Sequence, residues 1–247
     1  MWARFGVLIV RPGALVMTTP LFGTPFAPAP VRIGVTVLLA LVSAPVVAVP
    51  ASAASGALVW IIARETVIGM ALGLSVRVIV AMAEGAGHLA GAQVGLSYGA
   101  MLDPQSGVRN STLAVLYANL TLILCLLAGV HHDVIRAWLA SYAALPVGIG
   151  AVNASLGGVV ASALGFIFAS AFRLAAPVIA VLLIVEVMMG LMSRAAPSLN
   201  LLVVGAPLRL PIGLLVVAAS MAALPALLVR LWPAALELAA AAAGAFR

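Results

Sequence analysis

The chain has 247 residues, 65% of them hydrophobic and 7% charged, with a formal net charge of +6 and a mean hydropathy of +1.29. A soluble domain is about half apolar and about a quarter charged, so this composition indicates a membrane-associated chain or a core piece of an all-helical assembly. Nucleic-acid binding is excluded despite the charge: all twelve cations are arginines, they stand singly, and no aromatic residues interleave them.

In chain order, "MWARFGVLIVRPG" makes a poor signal peptide, because Arg11–Pro12 breaks its apolar core early. It reads as a retained first helix. A spanning helix needs about 20 mainly apolar residues. Six regions meet that need: Trp2–Phe22, Val31–Val49, Leu58–Met82, Thr112–Val130, Val159–Met192 and Pro211–Val229. The Pro-rich "GTPFAPAP" separates the first two, since proline is excluded from a helix interior. From Leu58 to Ala100 no proline intervenes, so one helix of roughly 65 Å is expected there. That exceeds a hydrocarbon core of about 30 Å. Val159–Met192 is also overlong, and Ala176–Pro177 is an expected kink. Such lengths imply broken helices, or helices that leave the bilayer and pack on protein. With six spans, Arg4, Arg136, Arg230 and Arg247 fall on one side and Arg32, Arg109, Arg194 and Arg209 on the other. This even split gives no orientation under the positive-inside rule. The alanine-rich tail "LELAAAAAGAFR" reads as a surface or partner-docking helix.

Gly87, Gly91, Gly95 and Gly99 recur every fourth residue, as Gly69 and Gly73 do earlier. Each costs about 1 kcal/mol in a helix interior relative to alanine, a cost that close approach of a second helix offsets. The face is therefore either an internal packing face or a seam for another subunit, with Gln93 beside it. Charges inside apolar runs are costly in lipid and normally find protein partners. Here they are Arg64, Glu65, Arg77, Glu84, Arg173 and Glu186, with Arg194 close behind. Interhelical ion pairs or a proton relay would use them. Glu84 and His88, four apart, can meet on one helical face, whereas the adjacent Arg64 and Glu65 are not expected to. Asn119 and Thr121 read as polar glue between helices. His131, His132 and Asp133 lack metal-site spacing, since a zinc helix needs histidines at i and i+4. Cys125 stands alone as apolar filler, and no nucleophile elbow or hydrolase triad is present. No metal, cofactor or catalytic residue is expected.

Between two of the most apolar stretches lies "GLSYGAMLDPQSGVRNST". Asp103, Pro104, Gln105, Ser106 and Gly107 carry turn chemistry. They form either a surface turn or a loop held inside protein, lining or blocking a passage.

The chain resembles the FliR/SctT family of type III secretion export-gate proteins over nearly its whole length. The resemblance rests on "TTPLFG", "PAPVRIGVTVLLALVSAP", "RETVIGMALG", "GHLAGAQVGLSYGAMLDPQSG", "VHHDVIRAWLASYAALPVG", "FRLAAPVIAVLLI" and "GLMSRAAPSLNLLVVGAPL", in family order. Ser198 stands where the family usually has glutamine. Glu186 stands where flagellar members often have an amide and some virulence members an acid; "LNLLVVGAPL" looks closer to the flagellar branch. The resemblance implies a non-enzymatic subunit of the bacterial inner membrane, multi-pass and part of the flagellar basal body. It implies FliP-like, FliQ-like and FlhB-like partner subunits and unfolded export substrates. It also implies that the loop after the Gly-rich helix, by position Asp103–Ala114, plugs the closed channel. A virulence-branch subunit is the alternative, and a proton-coupled transporter using Glu65, Glu84 or Glu186 is a rival of another class.

Overall fold

The computed structural model describes residues 2–22, 27–47, 58–96, 111–148, 156–195 and 201–244. Every regular element among them is a helix: α1 (Trp2–Leu8), α2 (Val10–Thr18), α3 (Ala29–Ser43), α4 (Leu58–Val94), α5 (Thr112–Leu127), α6 (Val130–Ala144), α7 (Leu156–Ala195), α8 (Leu201–Met221) and α9 (Leu224–Gly244). The all-helical, membrane-type expectation holds, with several of the six expected apolar regions broken or shortened. Among the described residues, three helices are long and apolar enough to cross a membrane: α4, α7 and α9. The bent pair α5–α6 raises this to four if it counts as one span.

The differences have local causes. Trp2–Phe22 is split at Ile9 into two short helices. Pro12 lacks an N–H and presses on the carbonyl of Leu8, which weakens the helix at the turn that contains Ile9. The second region yields a 15-residue α3, opened by proline in its first turn. At about 1.5 Å per residue it is roughly 22 Å long, short of a span. The apolar run after Thr112 turns through 69° between α5 and α6. Gly129 makes that turn with φ +74°, a left-handed value that glycine adopts without steric cost. Pro211–Val229 straddles the junction between α8 and α9, where Pro225 opens the next helix.

The long helices also differ from expectation. α4 is one helix of 37 residues, about 55 Å, and stops at Val94 rather than Ala100. α7 runs 40 residues with Pro177 inside it and is not broken there.

The chain forms two compact units. One comprises Met1–Ile79, Leu122–Leu164 and Arg230–Arg247, and the other Val80–Thr121 and Gly165–Val229. In the first, Leu15, Val16, Ile68, Val76 and Trp138 are fully or almost fully buried. Gly69 and Gly73 face α2, where a Cβ would run into the Arg11 carbonyl and the Thr18 side chain respectively. In the second, Met82, Tyr117, Leu182 and Leu224 are large buried side chains. The Tyr117 hydroxyl and Ser220 Oγ share a hydrogen bond that ties α5 to α8.

Candidate functional site

Two polar networks stand out among the described residues, one in each unit. The first centres on Arg11, which the sequence places in the broken N-terminal helix. Its side chain is fully buried, beside an equally buried Glu65. Nε meets Glu65 Oε2 at 2.7 Å and Nη2 meets Oε1 at 3.1 Å, a two-pronged pairing. Nη1 donates to Ser141 Oγ at 2.9 Å, and Nη2 donates also to the Leu145 carbonyl at 2.9 Å. The guanidinium carbon lies 4.2 Å from the centre of the Tyr142 ring, a cation–π contact. Arg64 donates to the Pro146 carbonyl at 2.9 Å. The network thus fastens α2, α4 and the end of α6 together. The carbonyl of Leu145 lies where α6 stops, a position with no intrahelical donor, so an arginine there satisfies an orphan acceptor.

Sequence spacing misjudged one pair. Arg64 and Glu65 come within 4.0 Å, because both long side chains bend toward the same buried centre. Adjacency on a helix separates their Cβ directions but not the tips of flexible chains. The larger omission was Arg11, read only as a break in an apolar run. The rule that flagged Arg64 applies equally to an arginine at position 11.

The second network centres on Arg209 of α8. Its Nη2 lies 2.6 Å from Glu186 Oε1 on α7 and donates to Gln93 Oε1 on α4 at 3.2 Å. Its Nε donates to the Gln93 carbonyl through a short hydrogen bond. Glu186 and Gln93 were singled out in the sequence for separate reasons, and the fold brings both to one arginine.

The remaining candidates are scattered. Arg77, His88 and Arg173 are exposed, and Glu84 is half-buried. Arg194 sits exposed in the last turn of α7, where a cation complements the helix dipole. Asp133 accepts from the Trp232 indole at 3.1 Å and pairs with Arg136 at 3.4 Å, joining α6 to α9. The rings of His131 and His132 lie 4.0 Å apart.

The glycine series divides by role. A Cβ on Gly87 would strike the backbone of Leu113 and Ala114, so α5 of the same chain fills that side. Gly91 is buried. Gly95 is no longer in the helix: its φ of +94° ends α4, and the N–H groups of Gly95 and Leu96 both bond the Gly91 carbonyl at 3.1 Å. That is a glycine-stopped helix terminus, a conformational reason for the residue in place of the expected packing reason. Gly99 and Asp103–Gly107 lie outside the described residues.

Similarity to known proteins runs along most of the chain. The family described as "Bacterial export proteins, family 1" matches residues 2–235. The flagellar biosynthetic protein FliR of Pectobacterium carotovorum subsp. carotovorum is 32% identical over 83% of this chain and 79% of its own. FliR of Escherichia coli (strain K12) is 31% identical over 86% and 82%, and that of Bacillus subtilis (strain 168) 28% over 86% and 83%. With these residues matched almost from end to end, the chain belongs to the bacterial export proteins, family 1, the family of the flagellar FliR proteins.

Proposed function

We propose that this chain is a structural subunit of the flagellar type III protein export gate, acting in the bacterial inner membrane. Its partners are FliP-like and FliQ-like subunits, with a FlhB-like subunit beside them, and its substrates are unfolded proteins. The observation that carries this reading is the similarity to flagellar FliR proteins over most of the chain. The disposition of the charges supports a structural role. Glu65 has both carboxylate oxygens engaged by Arg11, and Glu186 is engaged by Arg209, which suits joints between helices.

The polar segment Asp103–Gly107 is proposed as the gate element, since irregular backbone at membrane depth is tolerated where protein surrounds it. Affinity capture of the full chain from native membranes should bring down two smaller hydrophobic subunits. Deleting residues 103–107 should leave that assembly intact and make closed complexes leak ions. Capture of the chain alone, together with solute transport by the purified chain in liposomes, would instead establish a secondary transporter.

A further inference from the structure

We propose that Arg209 is a positioning residue that caps the C-terminal end of α4 from another helix and fixes where that end sits on α8, with Glu186 aiming its guanidinium. The last carbonyls of any α-helix lack intrahelical donors. At the end of α4 the Gly91 carbonyl is served by the N–H groups that follow it, while the Gln93 carbonyl receives Arg209 Nε. The same guanidinium reaches the Gln93 amide oxygen at 3.2 Å and Glu186 at 2.6 Å. One cation thus reads a backbone carbonyl, a side-chain amide and a carboxylate drawn from α4 and α7.

A second, independent observation places the same face of α8 against the same turn of α4. Gly213 stands four residues after Arg209 and so shares its helical face. A Cβ there would lie 2.7 Å from a methyl of Val94 and 3.3 Å from the Val94 Cβ. Val94, the last residue of α4, is buried. Arg209 supplies the polar clasp and Gly213 the clearance, so the final turn of α4 is held by chemistry and by shape together. An arginine fork serves the site better than a lysine, whose single ammonium cannot hold the carbonyl and the amide in one plane. Glu186 is then an aiming group, and its replacement by glutamine keeps an acceptor in place.

The test uses the full chain assembled in its native membranes, with Cys125 replaced by alanine. The Gly213 and Val94 positions meet the Cβ separation of a disulfide, about 3.5–4.5 Å, with little adjustment. The pair Val94→Cys with Gly213→Cys should therefore cross-link on mild oxidation. Adding Arg209→Met should slow that cross-linking about tenfold, the order expected for loss of a charge-assisted hydrogen bond. Arg209→Lys should give an intermediate rate, and Glu186→Gln should stay near the parent. In a chain without engineered cysteines, Arg209→Met should also lower export per assembled complex while leaving the amount of complex unchanged.

An unchanged cross-linking rate in Arg209→Met overturns the proposal. So does an export loss that merely tracks loss of complex across Arg209→Met, Arg209→Lys and Gln93→Leu. The export arm rests on the export-gate reading, and the cross-linking arm does not. Slowed cross-linking in a chain whose complexes carry no export would keep the cap and remove the gate.

Discussion

At the scale of single residues, the dominant fact is a fully buried arginine. Desolvating a guanidinium and a carboxylate costs several kcal/mol each, and the cost is offset only by good geometry and further hydrogen bonds. Arg11 has both: a forked pairing to Glu65, two more acceptors and an aromatic face. Removing one partner strands the other charge. Arg11→Met and Glu65→Leu should each destabilise the folded chain by about 3–5 kcal/mol. The double variant should cost less than the sum of the two, because neither Arg11 nor Glu65 is then left as a buried charge without the other. Unfolding in detergent, followed by helical circular dichroism for all three variants, measures the coupling. Strict additivity would mean that the pair is not energetically linked.

At the scale of elements, glycines decide how helices stop and how close they come. Gly129 turns the chain between α5 and α6 at a left-handed φ. Among the described residues, a Cβ there would meet only His132 Nδ1, at an ordinary 3.6 Å. The cost of Gly129→Ala is therefore a backbone cost, about 1–2 kcal/mol, and the same unfolding measurement should show it. Gly69 is the opposite case. It lies inside α4 with no left-handed φ, but a Cβ would collide with the Arg11 backbone and Ala14. Gly69→Val should push α2 away from α4 and cost about 1–3 kcal/mol as overpacking. It should also weaken the Arg11–Glu65 pairing, so its effect should shrink in an Arg11→Met background. Equal effects in both backgrounds would separate the packing from the ion pair.

At the scale of the whole molecule, the apolar surface is the issue. In the most apolar 18-residue stretch of α7 only 22% of residues are buried, against 67% in α4. Phe168 and Phe172 are 73% and 58% exposed on α7. A water-soluble monomer rarely leaves such a helix uncovered. Lipid or companion helices must cover it, and the export-gate reading assigns much of it to companions. Replacing Phe168 and Phe172 together by serine should leave the two internal networks intact. It should lower recovery of partner subunits in affinity capture, and undiminished recovery would assign that surface to lipid.

Much of this is legible in the sequence alone. Composition announced a helical membrane-type chain, and ordered motifs announced the family. The exclusion of charge from lipid marked Arg64, Glu65 and Glu186 as residues with partners. Proline and glycine also carried their usual meanings, although the breaks at Ile9 and Gly129 were underweighted against long apolar runs. Hydropathy summed over a window does not register a single residue that cannot continue a helix.

Tertiary structure alone chose the partners. Arg11 is 54 positions from Glu65 and 130 from Ser141, and Arg209 is 116 from Gln93. Helical periodicity says which residues share a face of one helix; which helix that face meets depends on how all of them pack. In a chain where nearly every face is apolar, hydrophobicity discriminates poorly among those packings. The few residues that hydrophobicity cannot satisfy, a handful of charges and the glycines that let backbones touch, then select among them.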